Sequence, residues 1–253
     1  MKPVISAILL STLTACTQEG PILDEPEAEA SVEGSVASSE ARGERLFAYA
    51  PESSPLDADM TRWQQRWWRW VMSIPYAENP MFDPTGEGCD VGQHDGVFFL
   101  ATVVGGGTSQ TTRSCTVPAH QPILIVPAGS LNDFPCPDPS FQPAPGQTMY
   151  AFLKAGAVES ATATNLIQIT LDGVALPGTL GYRATSPRTF TFTGDPSLTT
   201  TFDSCITGTP QLAVADGYAT MLRGLTAGDH TLVIRATNFR GGDTTLTWNL
   251  RAR

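Results

Sequence analysis

The first strong pattern along the chain is a helical stripe of large apolar residues between positions 57 and 75. An aspartate at the start of this segment can cap the helix N-terminus, and Pro75 ends the helix. Trp68 lies off the stripe, so only the other tryptophans are predicted to cover a core. The residues that share the stripe are Trp63, Trp67, Trp70, Val71 and Ile74.

After this helix, most segments show the composition and two-residue period of β-strands. Val97–Val104 is predicted to turn at Gly105-Gly106-Gly107 and to return as Gln110–Val117, forming a hairpin. Residues 134–147 are too rich in proline to join a central sheet, and Met149–Ala163 is predicted as a second helix. The further predicted strands are Pro122–Val126, Leu166–Leu171, Val174–Leu176, Arg188–Thr193, Tyr218–Leu222, His230–Thr237 and Thr244–Leu250.

Many short strands separated by glycine, proline and aspartate turns indicate a mainly β fold. We predict a β-sandwich of jelly-roll or immunoglobulin-like type with one or two short helices, including the Trp-rich helix near the start of the domain. Residues 56–253 are long enough for one full core, so this range is predicted to form a single domain.

Residues 1–15 have the layout of a cleaved export signal. Lys2 gives a short positive start, and the apolar stretch Val4–Leu10 is too short to span the ~30 Å hydrocarbon core of a membrane. Leu13-Thr14-Ala15-Cys16 resembles the lipobox of bacterial lipoprotein signals. That resemblance implies a diacylglycerol on the thiol of Cys16, cleavage just before it, and acylation of the new amino terminus, as with palmitate. The alternative is an ordinary secretory signal with a chance cysteine.

Residues 16–55 are predicted to form a disordered acidic tether that begins at the lipidated Cys16. Nine acidic residues and two arginines fall between positions 17 and 55, so most of the formal charge of −10 belongs to this stretch. No basic stripe is present, which argues against nucleic acid as a partner. Thr17 stands where some lipoproteins carry the aspartate that retains them at the inner membrane. We therefore predict an exported protein, lipid-anchored to the outer membrane.

The four cysteines after the tether predict two disulfides, because an even number of cysteines is expected in an exported chain. Of the three pairings we favour Cys89–Cys115 with Cys136–Cys205, since the first pair brackets the predicted hairpin. The alternative is a metal site, but the sequence has no CxxC or HExxH spacing and its three histidines are scattered. The domain is thus predicted to be braced by disulfides.

A series of short motifs begins with the Trp-rich helix and continues through Asn79-Pro80, an aromatic strand and Arg113-x-Cys115-x-Val117-Pro118. It closes with Ala215–Tyr218 and Leu225–Leu232. This order resembles a group of uncharacterised exported bacterial proteins and covers most of residues 63–236. The resemblance implies secretion and a β-rich fold, and no reaction. This chain has Ala119-His120-Gln121 where the group leads us to expect a Gly-Lys pair, so no role of that loop is carried over.

The Trp-rich helix is the most unusual candidate binding surface. Aromatic faces can stack on sugars, and neighbouring arginines can engage acidic groups or lipid phosphates. The alternative, which the helical stripe favours, is that the tryptophans cover an open face of the sandwich. The candidate ligand-binding residues are Trp63, Trp67, Trp68 and Arg66.

Oxygen-bearing side chains are concentrated in residues 79–95, a glycine-rich stretch that could hold calcium. The candidate ligands are Asp83, Glu87, Asp90 and Asp95. Their spacing does not match an EF-hand loop, and Asp-Pro and glycine clusters form turns without any ion. We therefore predict no metal and no cofactor, with calcium as the alternative.

Two classes of function remain open. We favour a non-catalytic envelope module that binds a protein or polysaccharide partner, because the sequence has no nucleophile motif and no phosphate-binding loop before a helix. The alternative is a hydrolase of envelope or extracellular polymers that uses carboxylates of the 79–95 loop. His94 and His120 could join such a carboxylate in acid–base chemistry, whereas His230, at a strand start, is predicted to be a structural hydrogen-bonding residue.

Overall fold

A computed structural model describes residues 46–94, 96–103, 108–237 and 242–253 of the chain. The predicted signal peptide, Cys16, the acidic stretch up to residue 45, Asp95 and the turn at 105–107 lie outside the described residues. Within the described ranges, no helix is both long enough and apolar enough to cross a membrane. The lipid anchor and the membrane location therefore remain predictions.

Both predicted helices are confirmed. Helix α1 spans Met60–Met72, and the carboxylate of Asp59 caps it by accepting a hydrogen bond from the Arg62 backbone N–H at 2.8 Å. Helix α2 spans Met149–Thr162 and begins after the capping residue Thr148. The strands of the described residues are β1 (Phe98–Leu100), β2 (Ser109–Val117), β3 (Ile123–Phe134), β4 (Ile167–Leu171), β5 (Val174–Ala175), β6 (Arg183–Thr185), β7 (Phe190–Thr193), β8 (Pro210–Leu222), β9 (Gly228–Thr237) and β10 (Asp243–Ala252).

The strands form two sheets, which confirms the predicted mainly β fold. The first sheet has the order β1-β3-β8-β6, with β7 also paired to β8, and the second has the order β2-β10-β9-β4-β5. The pairs β1/β3 and β2/β10 are parallel, and the other pairs are antiparallel. The long strands β3 and β8 form the centre of the first sheet.

The predicted hairpin between Val97–Val104 and Gln110–Val117 is wrong. Strand β1 is shorter than predicted and pairs with β3 in the first sheet, whereas β2 pairs with β10 in the second sheet. The burial patterns explain the difference. All three residues of β1 are buried, as in a strand that lies between two layers, while β2 alternates because one of its faces is exposed.

The first sheet is covered on both faces. Side chains alternate along β3, so Leu124 and Val126 pack with the tryptophans of α1, whereas Ile123 and Ile125 pack with the second sheet. Helix α2 covers a separate part of the first sheet around the buried Val214. The Trp-rich helix is therefore an outer layer on the first sheet, and the two sheets enclose the second core.

The folded domain begins earlier than predicted. Residues 46–55, which the sequence analysis assigns to the tether, pack against the domain. Ala48 forms a bridge with Leu222, and the Trp63 indole N–H donates to the Pro55 carbonyl at 2.9 Å. The apolar residues of this segment, Phe47 among them, gain burial against β8, which offsets the entropic cost of ordering them.

Both predicted disulfides are confirmed, Cys89–Cys115 and Cys136–Cys205. The reason given for the first pairing is wrong, because this bond does not brace a hairpin. It joins the loop after α1 to strand β2 of the second sheet. Two disulfides in one domain are typical of proteins exported to an oxidising environment.

Candidate functional site: a cleft at the edge of strand β3

The cleft begins where strand β3 loses one of its two neighbours. Strand β1 pairs with β3 only over Ile123–Ile125, while β8 remains paired as far as Phe134. The register with β8 shifts between Ile125 and Ala128, which marks a β-bulge next to Pro127. From Val126 onward, the other edge of β3 therefore has no paired strand among the described residues.

A cleft of about 520 Å³ runs along this edge. Trp67, Trp68 and Met72 of α1 form one wall, and residues 126–131 of β3 form the floor. The opposite wall comes from the second sheet, with Ile234, Ala236 and Leu246, and from Ser160, Ala161 and Thr164 at the end of α2. The volume is in the range of about 300–1,000 Å³ that is common for ligand sites, and the walls are mainly apolar.

Trp67 and Trp68 meet edge to face beside the cleft, with ring centroids 5.1 Å apart. The indole N–H of Trp67 donates to the Leu100 carbonyl at 3.0 Å, at the point where β1 ends. The indole N–H of Trp68 is buried and has no hydrogen-bond partner. Such an unpaired donor costs about 1–3 kcal/mol, so this ring is held in place by packing alone.

The prediction that Trp68 stays outside the core is wrong, because only 6% of this residue is exposed. Helix α1 is covered on more than the one face that the apolar stripe defines. The ring of Trp68 lies over Gly129, where β3 has no side chain to compete for the space. A Cβ atom built on Gly129 would lie 3.7 Å from Cζ2 of Trp68 and 3.1 Å from Cγ1 of Val126.

The cleft carries little charge. Asp203 is the only charged residue among its described lining residues, and the other polar groups are serine and threonine hydroxyls. Asp133 lies further along β3, where burial raises its pKa to about 7, with a smaller contribution from the negative charge of Asp203. A hydrogen bond from the Gln211 side chain, at 2.8 Å, partly opposes this increase.

The predicted ligand-binding residues of α1 do not form an exposed aromatic platform. Trp63, Trp67 and Trp68 are all buried, and the Arg66 guanidinium lies 4.3 Å from the centroid of the Trp63 ring. Trp67 and Trp68 border the cleft, while Trp63 and Arg66 do not line it. The packing role that the stripe favours is thus the one observed for Trp63.

The four candidate carboxylates are not brought together as a metal site. Asp95 is outside the described residues, and no group of three possible ligands occurs in the part of the chain that is described. Asp83 has both oxygens in use, since it accepts hydrogen bonds from Thr85 and from the Gly88 N–H at 2.8 Å. Desolvation of Asp83 is outweighed by these bonds, which lower its pKa to about 2. Glu87 and Asp90 line a separate polar groove on the outer face of the second sheet.

The histidines do not meet around a shared carboxylate among the described residues. His94 and Asp90 line one shallow groove, and His120 is not part of that groove. His230 uses both ring nitrogens, with Nδ1 2.6 Å from Asp172 and Nε2 2.9 Å from the Thr226 carbonyl. These two contacts agree with the structural role predicted for His230.

Comparisons with known proteins identify no family. No family model matches the chain, and no curated protein matches it. Among solved structures, the chain is similar to one described as "Structure of PbICP-C in complex with falcipain-2", at 8% identity over 63% of this chain and 100% of that chain. The TM-score is 0.24, and this likeness carries no argument about fold or function.

Proposed function

We propose that the protein is an exported, lipid-tethered and non-catalytic binding module, and that its binding site is the cleft beside β3. The observation that carries this proposal is a mainly apolar cleft of about 520 Å³, open along an unpaired strand edge. The walls belong to α1, α2 and the second sheet, and the Cys89–Cys115 bond joins the loop after α1 to that sheet. A site built on such braced elements can bind without large rearrangement.

The hydrolase alternative has less support. A hydrolase of polymers needs a pair of carboxyl groups facing a common substrate position. Asp83 already uses both oxygens within its own loop, and the lining of the β3 cleft contains the single carboxylate of Asp203. The cleft therefore offers binding surface and no pair of carboxylates.

An uncharged fluorescent probe, N-phenyl-1-naphthylamine, tests whether the cleft accepts an apolar ligand. Its emission should rise on binding to the wild-type chain. Gly129→Leu should weaken binding at least tenfold, or about 1.4 kcal/mol, because the added side chain extends from a position 3.7 Å from Trp68 into the cleft. Gly181→Leu is the matched control, since a side chain at this position would meet nothing within 4 Å.

Absence of probe binding, or equal binding to both variants, would remove the cleft as the site. The lipid tether is tested separately by Cys16→Ser. This variant should leave the membrane fraction, because the proposed lipid is the only anchor assigned to the protein. A Cys16→Ser protein that still fractionates with membranes would contradict the tether and leave the cleft untouched.

A further inference from the structure

We infer that the cleft binds an extended, non-acidic polypeptide segment of a partner protein, which adds as a new strand to the free edge of β3. The inference rests on the proposed function, because it names the ligand class of the same cleft. It depends on three observations: the direction of the backbone groups along β3, the two walls of the cleft, and the lack of protection on this edge.

The first observation is that backbone groups of β3 face the cleft. The Ser186 N–H donates to the Ala215 carbonyl at 2.8 Å, so Ala215 of β8 turns its backbone groups away from β3. Leu131 is the residue opposite Ala215 in the antiparallel pair. Opposite residues either bond each other or both turn away, so the N–H and C=O of Leu131 point to the free edge. The alternation gives Gly129 the same direction, and no strand among the described residues pairs with either.

The second observation is that the two walls of the cleft lie on opposite faces of the first sheet. Trp68 and Met72 belong to the core on the α1 side, whereas Ile234 and Leu246 belong to the core between the sheets. Successive side chains of an added strand would point to opposite faces. One wall would therefore receive one side chain and the other wall would receive the next. A compact small molecule has no such two-sided requirement.

The third observation is that the edge is open. Exposed strand edges are normally protected by charged side chains, proline or a bulge. The bulge and Pro127 protect only the start of this edge, and the residues that follow, Ala128 to Leu131, are uncharged. Gly129 is exposed and has no side chain, so the backbone of another strand can approach to hydrogen-bonding distance.

Charge decides between the possible occupants. Asp203, the only charged residue among the described lining residues, disfavours an acidic segment. The chain's own residues 17–45 are strongly acidic, so they are poor occupants of this cleft. The chemistry that fits is a neutral or basic extended segment with apolar side chains at adjacent positions. Such segments bind sheet edges through main-chain hydrogen bonds and gain specificity from alternate side-chain pockets.

The test uses a phage-displayed library of random ten-residue peptides, selected on the exported chain carrying Cys16→Ser. We expect the enriched peptides to lack acidic residues. The best peptide is then synthesised with a single backbone N-methyl group at each position in turn. At two or more alternate positions the methyl group should weaken binding at least tenfold, and at the intervening positions by less than threefold. Ser130→Ala is the matched protein control, because it leaves the free N–H and C=O groups of the edge unchanged.

Each outcome decides the inference. Uniform effects of N-methylation, or no enriched peptide from a protein that still binds the naphthylamine probe, would overturn strand addition and leave the proposed binding function standing. Failure of both peptide and probe binding would overturn both. A tenfold gain in peptide affinity on deletion of residues 17–45 would make the tether the occupant. A dimer in light scattering that Gly129→Leu disrupts would make a second copy the occupant, and either result would overturn a foreign partner.

Discussion

The carboxyl group of Asp133 gives a direct test of the packing around the second disulfide. Asp133 is 3% exposed and accepts a hydrogen bond from Nε2 of Gln211 at 2.8 Å. The same nitrogen also donates to the carbonyl oxygens of Pro135 and Cys205, so Gln211 links the end of β3 to the Cys136–Cys205 bridge. Replacement by asparagine keeps the shape and the acceptor oxygen but removes the charge.

Burial, followed by the negative charge of Asp203, raises the pKa of Asp133 from 3.8 to about 7 in the folded protein. Between these two values the folded state binds a proton that the unfolded state has lost. The stability of the wild type therefore falls as the pH rises from about 4 to about 7, by the contribution of this group. At about 1.36 kcal/mol for each unit of pKa, the full loss is on the order of 3–4 kcal/mol.

The assay is urea unfolding of wild type and Asp133→Asn at pH 4 and at pH 8. The variant should match the wild type at pH 4 and exceed its free energy of unfolding by about 2–4 kcal/mol at pH 8. Asp138→Asn serves as the control, because this carboxyl is exposed and lies in the adjacent loop. A difference between wild type and Asp133→Asn that stays constant with pH would refute the reasoning.

Two further predictions concern the core. Trp67→Phe should lower the free energy of unfolding by about 1–3 kcal/mol more than Trp68→Phe does, because only Trp67 uses its indole N–H, in a bond to the Leu100 carbonyl. Equal losses in urea unfolding would show that packing alone sets both values. All four cysteines of the two disulfides should resist alkylation without reductant in the exported protein, and stoichiometric labelling seen by mass spectrometry would contradict this.

The local features of the fold could be predicted where one physical signal dominates. The spacing of the large apolar side chains predicted α1, and the Asp59 cap and Pro75 defined its ends. The pairing Cys136–Cys205 was also predicted correctly, although sequence spacing alone does not determine it. In contrast, the partners of β1 depend on contacts with β3, and no local pattern in Val97–Leu100 reports them.

The candidate site was missed because its floor looks unlike a strand. The predicted strand ended at Val126, since Pro127 and Gly129 both disfavour a central strand. The structure continues β3 to Phe134, as an edge that begins with a bulge, and proline and glycine are compatible with such an edge. A proline and a glycine next to an apolar run were the available signal. The burial of Trp68 could not be predicted, because it depends on the gap that Gly129 leaves in a distant strand.

The most direct test of strand addition at β3 is amide hydrogen exchange at individual residues, measured by NMR with and without the selected peptide. In the free protein, the amides of Gly129 and Leu131 should exchange rapidly, while that of Ser130, which is directed toward β8, is protected. Peptide binding should slow exchange at Gly129 and Leu131 at least a hundredfold and leave Ser130 protected. Protection of all three amides in the free protein, or unchanged exchange at Gly129 and Leu131 in the complex, would contradict binding by strand addition.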